Sequence, residues 1–580
     1  MTQVMSYLVK NNMKSIRYIA LGALLVAGQT FAQNLSTEVV VDRTIQPKEH
    51  AASRLGGLTP VLVLPNVKPE TLSTARFTTL SPLTRSYTRL DPAVGGRAAE
   101  MSPYKGYAAI GYFPAMNLGA SAGYRFLNND KFTLGAAFQL DGESYKPYKD
   151  LLPDSKNAQW YARLGVDFGW RPKENSQLSV ELDYSYLKDK TWLWDWQAVN
   201  TIGIGADWKS RINGFDYSVG IYENFEKSGD VDVYCLKDNS STKQIEGLTQ
   251  NSFGVNAAVM KPFAETSCLG IDFNADFIHT NNPIYYGIEN VDNTIGSIGV
   301  KPYYGLDMGH FTARIGIDVD FGVGDDAKVH IAPDIRLQWA ASSQFGIWLN
   351  AGGGDRLNSF ASRRQITNYQ LFYQGFRRSN IPIILEGGFN FGPFSGFTAE
   401  LYGGYAKANN WLMAGWIAGE EYEKIKGWHA GLRFGYEWNI FKASLGAEIA
   451  PSKYNKAWIY NYDKAKYVIS AALDVKPIEK LSVGVGYEFR DHRGYSFDPD
   501  EWYSLGNVSN LTVHADYKIL PWLTVFARGE NLLGRRYDIL PVVAIYDVEW
   551  PQPFPPTVGY ITGGLPSQKQ KGAIGVAVKF

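Results

Sequence analysis

The sequence predicts an all-β fold, a transmembrane antiparallel barrel of about 22 strands of the kind found in bacterial outer membranes. Three observations support this prediction: segments of alternating polarity recur through most of the chain, the connections between them alternate in length, and an export signal begins the sequence. A soluble sandwich also alternates, but a single core does not usually organise a run as long as residues 106–580.

The start of the chain has the order of a secretory leader. Lys10, Lys14 and Arg17 give a basic start, and an apolar run follows over residues 18–28. This run is too short to span a membrane as a helix. We therefore predict a signal peptide that is cleaved after the small residue Ala32, and export to the outer membrane of a bacterial cell envelope.

Long segments alternate between apolar and polar or small residues, as residues 160–170, 177–186 and 481–490 show. Successive side chains of a strand point to opposite faces, so each segment offers one face to lipid and one to a hydrated lumen. The predicted lumen-facing positions carry both signs of charge and include Arg125, Arg163, Asp167, Glu181, Asp183, Arg433, Glu437, Glu488, Arg490 and Lys579. Mixed charges favour cross-strand ion pairs over a binding site at any single residue.

The last eight residues predict the strand that closes the barrel. Ile574, Val576, Val578 and Phe580 share one face of this strand, whereas the alternate positions are small or charged. Counted from Gly106, the strands number about 22, an even number as this class of barrel requires. We expect outer-membrane lipid and the outer-membrane assembly machinery as partners of such a chain.

Connection lengths give the orientation. Even-numbered strands lead into short turns such as residues 171–175, 392–396, 476–480 and 520–522. Most odd-numbered strands lead into long connections, at roughly residues 143–156, 227–246, 354–380, 491–505 and 533–565. With a periplasmic N-terminus, the short turns face the periplasm and the long loops face the outside. The two cysteines, Cys235 and Cys268, then lie on opposite sides of the membrane and are predicted not to pair.

Composition and motifs exclude several functions. The formal net charge is zero, and loss of the basic leader leaves the chain negative, which argues against nucleic acid as a partner. The seven histidines show no metal-ligand spacing, and neither a nucleophile elbow nor an EF-hand loop is present. We predict no catalytic, cofactor-binding or metal-binding residues and no enzyme activity.

The predicted outer loop at residues 354–380 interleaves arginines with aromatic residues. Such a surface suits sugars, anionic glycans or a protein partner, and the alternative is loops that pack on one another over the barrel mouth. The candidate recognition residues are Arg363, Arg364, Tyr369, Tyr373, Arg377 and Arg378. The aromatic residues Phe360, Phe372 and Phe376 belong to the same loop.

Residues 505–580 resemble the C-terminal end of TonB-dependent receptors. Asn531-Leu532-Leu533 followed by Tyr537 resembles that family's penultimate strand, and a proline-bearing loop at residues 550–553 and an aromatic terminal strand follow in the same order. Over the rest of the chain the resemblance is one of architecture. It implies an outer-membrane transporter that moves a bulky solute inward with energy from TonB.

That family carries a plug domain, typically of well over a hundred residues, inside the barrel. Here residues 33–105 precede the first predicted strand, so we expect a much reduced plug or an extended periplasmic arm. Glu38, Val39, Val40 and Val41 resemble a TonB box or the start of a plug, and the alternative is a β-prone stretch of an extended arm. A lumen of this size needs filling by this segment, by inward-folded loops or by another protein.

The predicted organisation is a signal peptide over residues 1–32, an N-terminal extended segment or reduced plug over residues 33–105, and a transmembrane barrel over residues 106–580. Three functions remain open. They are energised transport with TonB as partner, a passive channel, and a structural or partner-gated subunit bound to another outer-membrane protein or lipoprotein.

Overall fold

The structure is a computed structural model. It describes residues 104–113, 117–146, 156–191, 195–234, 242–245, 247–282, 291–324, 327–362, 376–414, 420–454, 459–461, 465–491, 494–498, 501–504, 506–548, 557–567 and 570–580. The predicted leader, its cleavage point, the segment from Glu38 to Val41, and Cys235 lie outside these residues.

The described residues form thirty β-strands. They are β1 (Gly106–Phe113), β2 (Asn117–Asn128), β3 (Phe132–Tyr145), β4 (Asn157–Lys173), β5 (Ser176–Lys190), β6 (Gln197–Ile212), β7 (Phe215–Ser228), β8 (Val231–Tyr234), β9 (Thr242–Ile245), β10 (Thr249–Ala264), β11 (Ser267–Asn282), β12 (Val291–Asp307), β13 (Phe311–Val323), β14 (Val329–Ser342), β15 (Phe345–Leu357), β16 (Arg378–Phe394), β17 (Phe397–Ala414), β18 (Glu420–Trp438), β19 (Phe441–Ile449), β20 (Ser452–Tyr454), β21 (Ile459–Asn461), β22 (Tyr467–Ile478), β23 (Leu481–Asp491), β24 (Gly494–Asp498), β25 (Glu501–Ser504), β26 (Val508–Leu520), β27 (Leu523–Glu530), β28 (Asp538–Val548), β29 (Thr557–Pro566) and β30 (Lys571–Lys579).

Twenty-two of these strands form one closed antiparallel barrel, which confirms the predicted fold class. Each barrel strand pairs with its neighbours in the sequence of barrel strands, and β20 extends the line of β19 along β18. The strands β8 and β9, then β21, β24 and β25, and finally β28 and β29 form three small sheets of their own within the long connections. The ladder of the barrel itself closes through β1 and β30, which is what lets a β-structure cross a bilayer.

The barrel closes between β1 and β30, with Tyr112 opposite Ile574 and Tyr107 opposite Lys579. The Gly106 amide donates to the Phe580 carbonyl at 2.7 Å, and the Phe580 amide donates to the Gly106 carbonyl at 2.9 Å. The Phe580 ring stacks on Tyr124 at 6.0 Å between ring centroids. A β-carbon on Gly106 would lie 2.5 Å from the Phe580 ring, so the terminal aromatic residue covers a glycine on the outer face of the closure.

The two ends of the barrel differ as the connection lengths predicted. Turns of two or three residues link β2 to β3, β4 to β5, β6 to β7 and so on to β26 and β27. The long connections lie at the opposite end, but the wall strands run further into them than predicted. The strand β15 continues to Leu357 and β16 begins at Arg378, so the predicted loop at residues 354–380 is shorter at both ends. Polar residues at these strand tips still form ladder hydrogen bonds, so polarity does not mark where a strand stops.

The outer face of the barrel is apolar with aromatic ends. Leu164, Ile202 and Ile331 have exposed fractions of 46%, 49% and 66% on this face. At the short-turn end, Phe132 stacks near Phe168 at 6.1 Å and Trp438 meets Phe441 edge-on at 5.7 Å. These rings form the interfacial girdle expected of an outer-membrane barrel. Within the described ranges, no helix has the length and apolarity needed to cross a membrane.

Candidate functional site in the barrel lumen

Charged side chains on the inner face are held mainly by their neighbours across the strands. Arg163 donates to Asp183 at 2.5 Å, and Arg433 donates to Glu400 at 2.9 Å. Several other predicted lumen-facing charges also have close partners: Arg125 lies 4.0 Å from Asp167, Glu437 lies 3.8 Å from Lys442, and Arg490 contacts Glu488. Partly exposed pairs of this kind contribute little stability, so their main effect is a hydrated wall of both charge signs.

The densest group of charges lies where β11 to β15 line the lumen. Arg314 donates to Asp334 at 2.7 Å and to Asp272 at 2.6 Å, and its guanidinium lies 3.5 Å from the centre of the Tyr303 ring. Lys301 donates to Asp318 at 2.6 Å. The charged side chains of this group border a cavity of about 560 Å³ that is open to the lumen. The cavity presents both donors and acceptors, and can therefore hold a polar solute or a polar peptide segment.

Asp318 and Asp320 are almost completely buried on the wall, each with an exposed fraction of 2%. Asp320 accepts the Asp355 amide at 2.7 Å, and the Oδ1 atom of Asp318 has no hydrogen-bond partner among the described residues. Gly354 faces both carboxylates with a φ of 110°. A β-carbon there would lie 2.6 Å from Asp318 and 2.7 Å from Asp320, so only glycine allows this approach. No group of three metal-ligating side chains occurs in the described parts of the chain.

The structure places only two of the predicted recognition residues. Arg378 begins β16 with an exposed fraction of 5%, donates to Asp355 at 3.1 Å and lies against Gly322. Arg377 is exposed, and its carbonyl accepts from the Asn358 amide group at 2.6 Å. Arg363, Arg364, Tyr369 and Tyr373 lie outside the described residues. Arg378 is thus built into the wall by an internal ion pair.

Both ends of the connection between β15 and β16 turn into the lumen. Phe360 and Phe376, each with an exposed fraction of 1%, join a buried cluster with inward residues of other strands. The cluster members from the rest of the wall are Leu187, Val199, Leu248, Ile278 and Ile295. These residues come from β5 to β12, so the connection reaches a distant sector of the wall.

Two hydrogen bonds fix the same connection. The Phe360 amide donates to the Gln250 side-chain oxygen at 2.8 Å, and Gln250 itself is fully buried and donates to Thr280 at 2.7 Å. The Asn293 side chain donates to the Phe376 carbonyl at 2.7 Å. Sequence reasoning missed Gln250 and Asn293, because a polar residue at any inward position of a barrel strand fits a hydrated wall equally well.

The closure carries its own ion pair at the outer end. Lys571 on β30 contacts Glu143 on β3, and each side chain has an exposed fraction of 14%. Both residues share the lumen face, and the pair crosses the inner side of β1 and β2, which lie between the two strands. The pair therefore links the two ends of the barrel wall, where β1 and β2 are shorter than β3.

No family model matches the sequence, and no curated protein is similar to it. Solved structures do match the fold. The FrpB iron transporter from Neisseria meningitidis superposes with a TM-score of 0.61 and 13% identity over 82% of this chain and 81% of that one.

Two siderophore receptors match the fold in the same way. For the siderophore receptor PirA from Acinetobacter baumannii the TM-score is 0.61 at 7% identity, over 83% of this chain and 81% of that one. For the ferripyoverdine receptor of the Pseudomonas aeruginosa outer membrane, the TM-score is 0.59 at 11% identity, over 82% of this chain and 72% of that one. The three matched structures are named as an iron transporter and as receptors, and none of the three is named as an enzyme. The chain has the 22-strand outer-membrane barrel fold of TonB-dependent siderophore receptors.

Proposed function

We propose that the protein imports a bulky solute through its lumen, and that residues 33–105 act as a reduced plug coupled to TonB. The closed barrel of 22 strands carries this proposal, because its fold is that of an iron transporter and of siderophore receptors. A solute in the size class of an iron chelate fits a lumen that is wide, hydrated and lined by both charge signs.

Charge complementarity supports the N-terminal segment as lumen content. Asp167 is opposite Glu181 on the inner wall, and Asp183 and Asp207 lie nearby on β5 and β6. Among the described residues, Glu181 and Asp207 have no ion-pair partner. Residues 71–99 contain four arginines and a single acidic residue, so this part of the chain is basic. A basic segment against an acidic wall is favourable where water is partly excluded.

The segment from Glu38 to Val41 is the proposed contact with TonB. A short β-prone stretch near the mature N-terminus can pair by its backbone with a strand of a periplasmic partner. Such a contact would let the partner pull on the reduced plug from the periplasmic side. In this scheme the described wall stays fixed and residues 33–105 move.

Planar bilayers test the plug without knowledge of the solute. The full-length mature protein should conduct little, and deletion of residues 33–105 should open a large conductance because it empties the lumen. An intact protein that conducts as well as the deletion variant would show that this segment does not fill the lumen.

Deletion of residues 33–45 alone tests the coupling to TonB. The shortened protein should still insert and should keep its heat-modifiable mobility, but it should lose binding to the isolated periplasmic domain of TonB. Uptake of iron-loaded enterobactin and pyoverdine, used as probes, should fall to the level of cells that lack the protein. Unchanged uptake would rule out energised transport. Extraction as a fixed complex with other outer-membrane proteins or lipoproteins would favour a scaffold role.

A further inference from the structure

Oxygen atoms from two strands face the same glycine on the lumen wall. Asn274 on β11, Gly299 on β12 and Asp320 on β13 are directly opposite one another. Asp320 points into the lumen, because Ile317 and Phe321 at the alternate positions of β13 have exposed fractions of 49% and 44% on the outer face. A β-carbon on Gly299 would lie 2.6 Å from the Oδ1 atom of Asp320 and even closer to the Oδ1 atom of Asn274. The glycine thus leaves a small space between the two oxygen atoms, which we call the Gly299 gap.

The oxygen atom of Asn274 is held towards the Gly299 gap by the other half of its amide group. The Asn274 nitrogen donates to Asp276 at 3.2 Å, and Asp276 also accepts from the Tyr222 hydroxyl at 2.7 Å. No group among the described residues donates to the Asn274 oxygen. Asn274 lines the cavity of about 560 Å³ between β11 and β15, so the gap borders a space that is open to the lumen. The gap is therefore within reach of a solute and offers it an unused acceptor.

Asp320 places a buried carboxylate on the other side of the gap. Its exposed fraction is 2%, and its Oδ2 atom accepts the Asp355 amide at 2.7 Å. Among the described residues, no donor reaches its Oδ1 atom and no cation forms an ion pair with it. The neighbouring carboxylates are paired, Asp318 with Lys301 at 2.6 Å and Asp355 with Arg378 at 3.1 Å. A buried carboxylate is costly unless a positive group compensates it, so the gap favours a cationic occupant.

We propose that the Gly299 gap binds a primary ammonium group. This group is a compact positive charge with three N–H donors, so it can donate to the oxygen atoms on both sides of the gap at once. A guanidinium group binds a carboxylate best through both oxygen atoms, and the Asp355 amide already uses one oxygen of Asp320. A calcium ion requires six or more oxygen ligands, and the described residues hold no group of three metal-ligating side chains. The site does not depend on whether the barrel transports a solute.

The ammonium group has two sources of the same chemistry. One is a free primary amine in the lumen, and the other is a lysine of the N-terminal segment, because residues 33–104 contain Lys48 and Lys68. The two sources differ in one observable result. A lysine that fills the gap excludes a free amine, and replacement of that lysine makes the site available to the amine.

Calorimetric titration of the intact protein with n-butylammonium chloride at fixed ionic strength tests the site. Asp320→Asn removes the charge but keeps an acceptor for the Asp355 amide, and Gly299→Ala fills the gap. The control is Asp474→Asn, which removes a lumen-facing carboxylate that already has His514 as its partner at 3.0 Å. The wild type and the control should bind equally, and both gap variants should keep their heat-modifiable mobility but bind at least about tenfold more weakly.

A double variant, Lys48→Gln with Lys68→Gln, decides the source of the ammonium group. If the occupant is a free amine, the wild type and the double variant bind butylammonium equally. If the occupant is a lysine, only the double variant binds, and the gap variants are then compared in that background. Tetramethylammonium carries the charge but no N–H group, so it should not displace butylammonium. Absence of binding in both proteins, equal binding by Asp320→Asn and Asp474→Asn, or displacement by tetramethylammonium would overturn the proposal.

Discussion

Replacement of Phe376 by alanine removes an anchor of the connection between β15 and β16. The ring has an exposed fraction of 1% and packs in the cluster with Leu248 and Ile295, so the change leaves a cavity. Phenylalanine to alanine at a buried site costs about 3–5 kcal/mol. The barrel ladder is untouched, so this cost falls on the attachment of the connection to the wall. At about 1.4 kcal/mol per tenfold, the detached state becomes about 100- to 4,000-fold more populated.

Hydrogen exchange at the Phe360 amide reports on that detachment. This amide is buried and donates to Gln250, so it exchanges only when the connection leaves the wall. Phe376→Ala should speed its exchange by the same factor of about 100 to 4,000, with heat-modifiable mobility unchanged. The matched control is Phe321→Ala, which removes an outward ring with an exposed fraction of 44%. Equal exchange in Phe376→Ala and in the wild type would refute the anchoring role.

Three further changes have defined outcomes. Gly354→Ala should lower the free energy of unfolding in urea by about 1–3 kcal/mol, because φ is 110° and the new β-carbon meets Asp318 and Asp320. Lys571→Met should lower the temperature at which the barrel loses its heat-modifiable mobility, because it removes the ion pair with Glu143 across the closure. Alkylation of the unreduced, unfolded chain should modify both cysteines, because Cys268 lies at the short-turn end and its thiol is free.

Each of these outcomes has a control. Gly346 has ordinary backbone geometry and room for a β-carbon. If Gly346→Ala and Gly354→Ala lower the free energy of unfolding equally, the predicted strain at Gly354 is contradicted. Lys571→Arg should retain the wild-type transition temperature. If Lys571→Met also retains it, the ion pair does not stabilise the closure. A peptide that joins the two cysteines through a disulfide would contradict the predicted topology.

The wall of the barrel could be predicted from the sequence because lipid constrains every second residue. Between Trp160 and Trp170 all outward positions are apolar, and the structure shows this segment as β4, with Leu164 exposed on the outer face. A polar residue at such a position costs free energy in the bilayer, so the alternation is strict. The strand count, the closure by β30 and the orientation of the turns all follow from this pattern.

The inward course of the β15–β16 connection could not be predicted in the same way. Phe360 and Phe376 belong to an aromatic and arginine-rich stretch whose composition fits an exposed recognition loop equally well. Their burial depends on Leu187 and Ile278, which are distant in sequence and stand at inward positions that tolerate many residue types. The small sheets such as β28 with β29 were missed for a similar reason, because no lipid imposes a period on a strand outside the membrane.

The two faces of the wall constrain the sequence differently, and this difference explains why the sequence predicts the fold but not the transported solute. A shift of β13 by one residue against its neighbours would move Arg314, Asp318 and Asp320 from the lumen to the lipid face. Charged residues at the midplane of the lipid face cost about 2–4 kcal/mol for arginine and less for acidic residues, so this slip alone costs several kcal/mol. No comparable penalty acts on the lumen face, where Asp272 and Arg314 can pair with each other or with a bound group. The cost of placing charge in lipid therefore fixes the register of the wall strands. The pattern of charges on the lumen face is constrained only by the groups that fill the lumen.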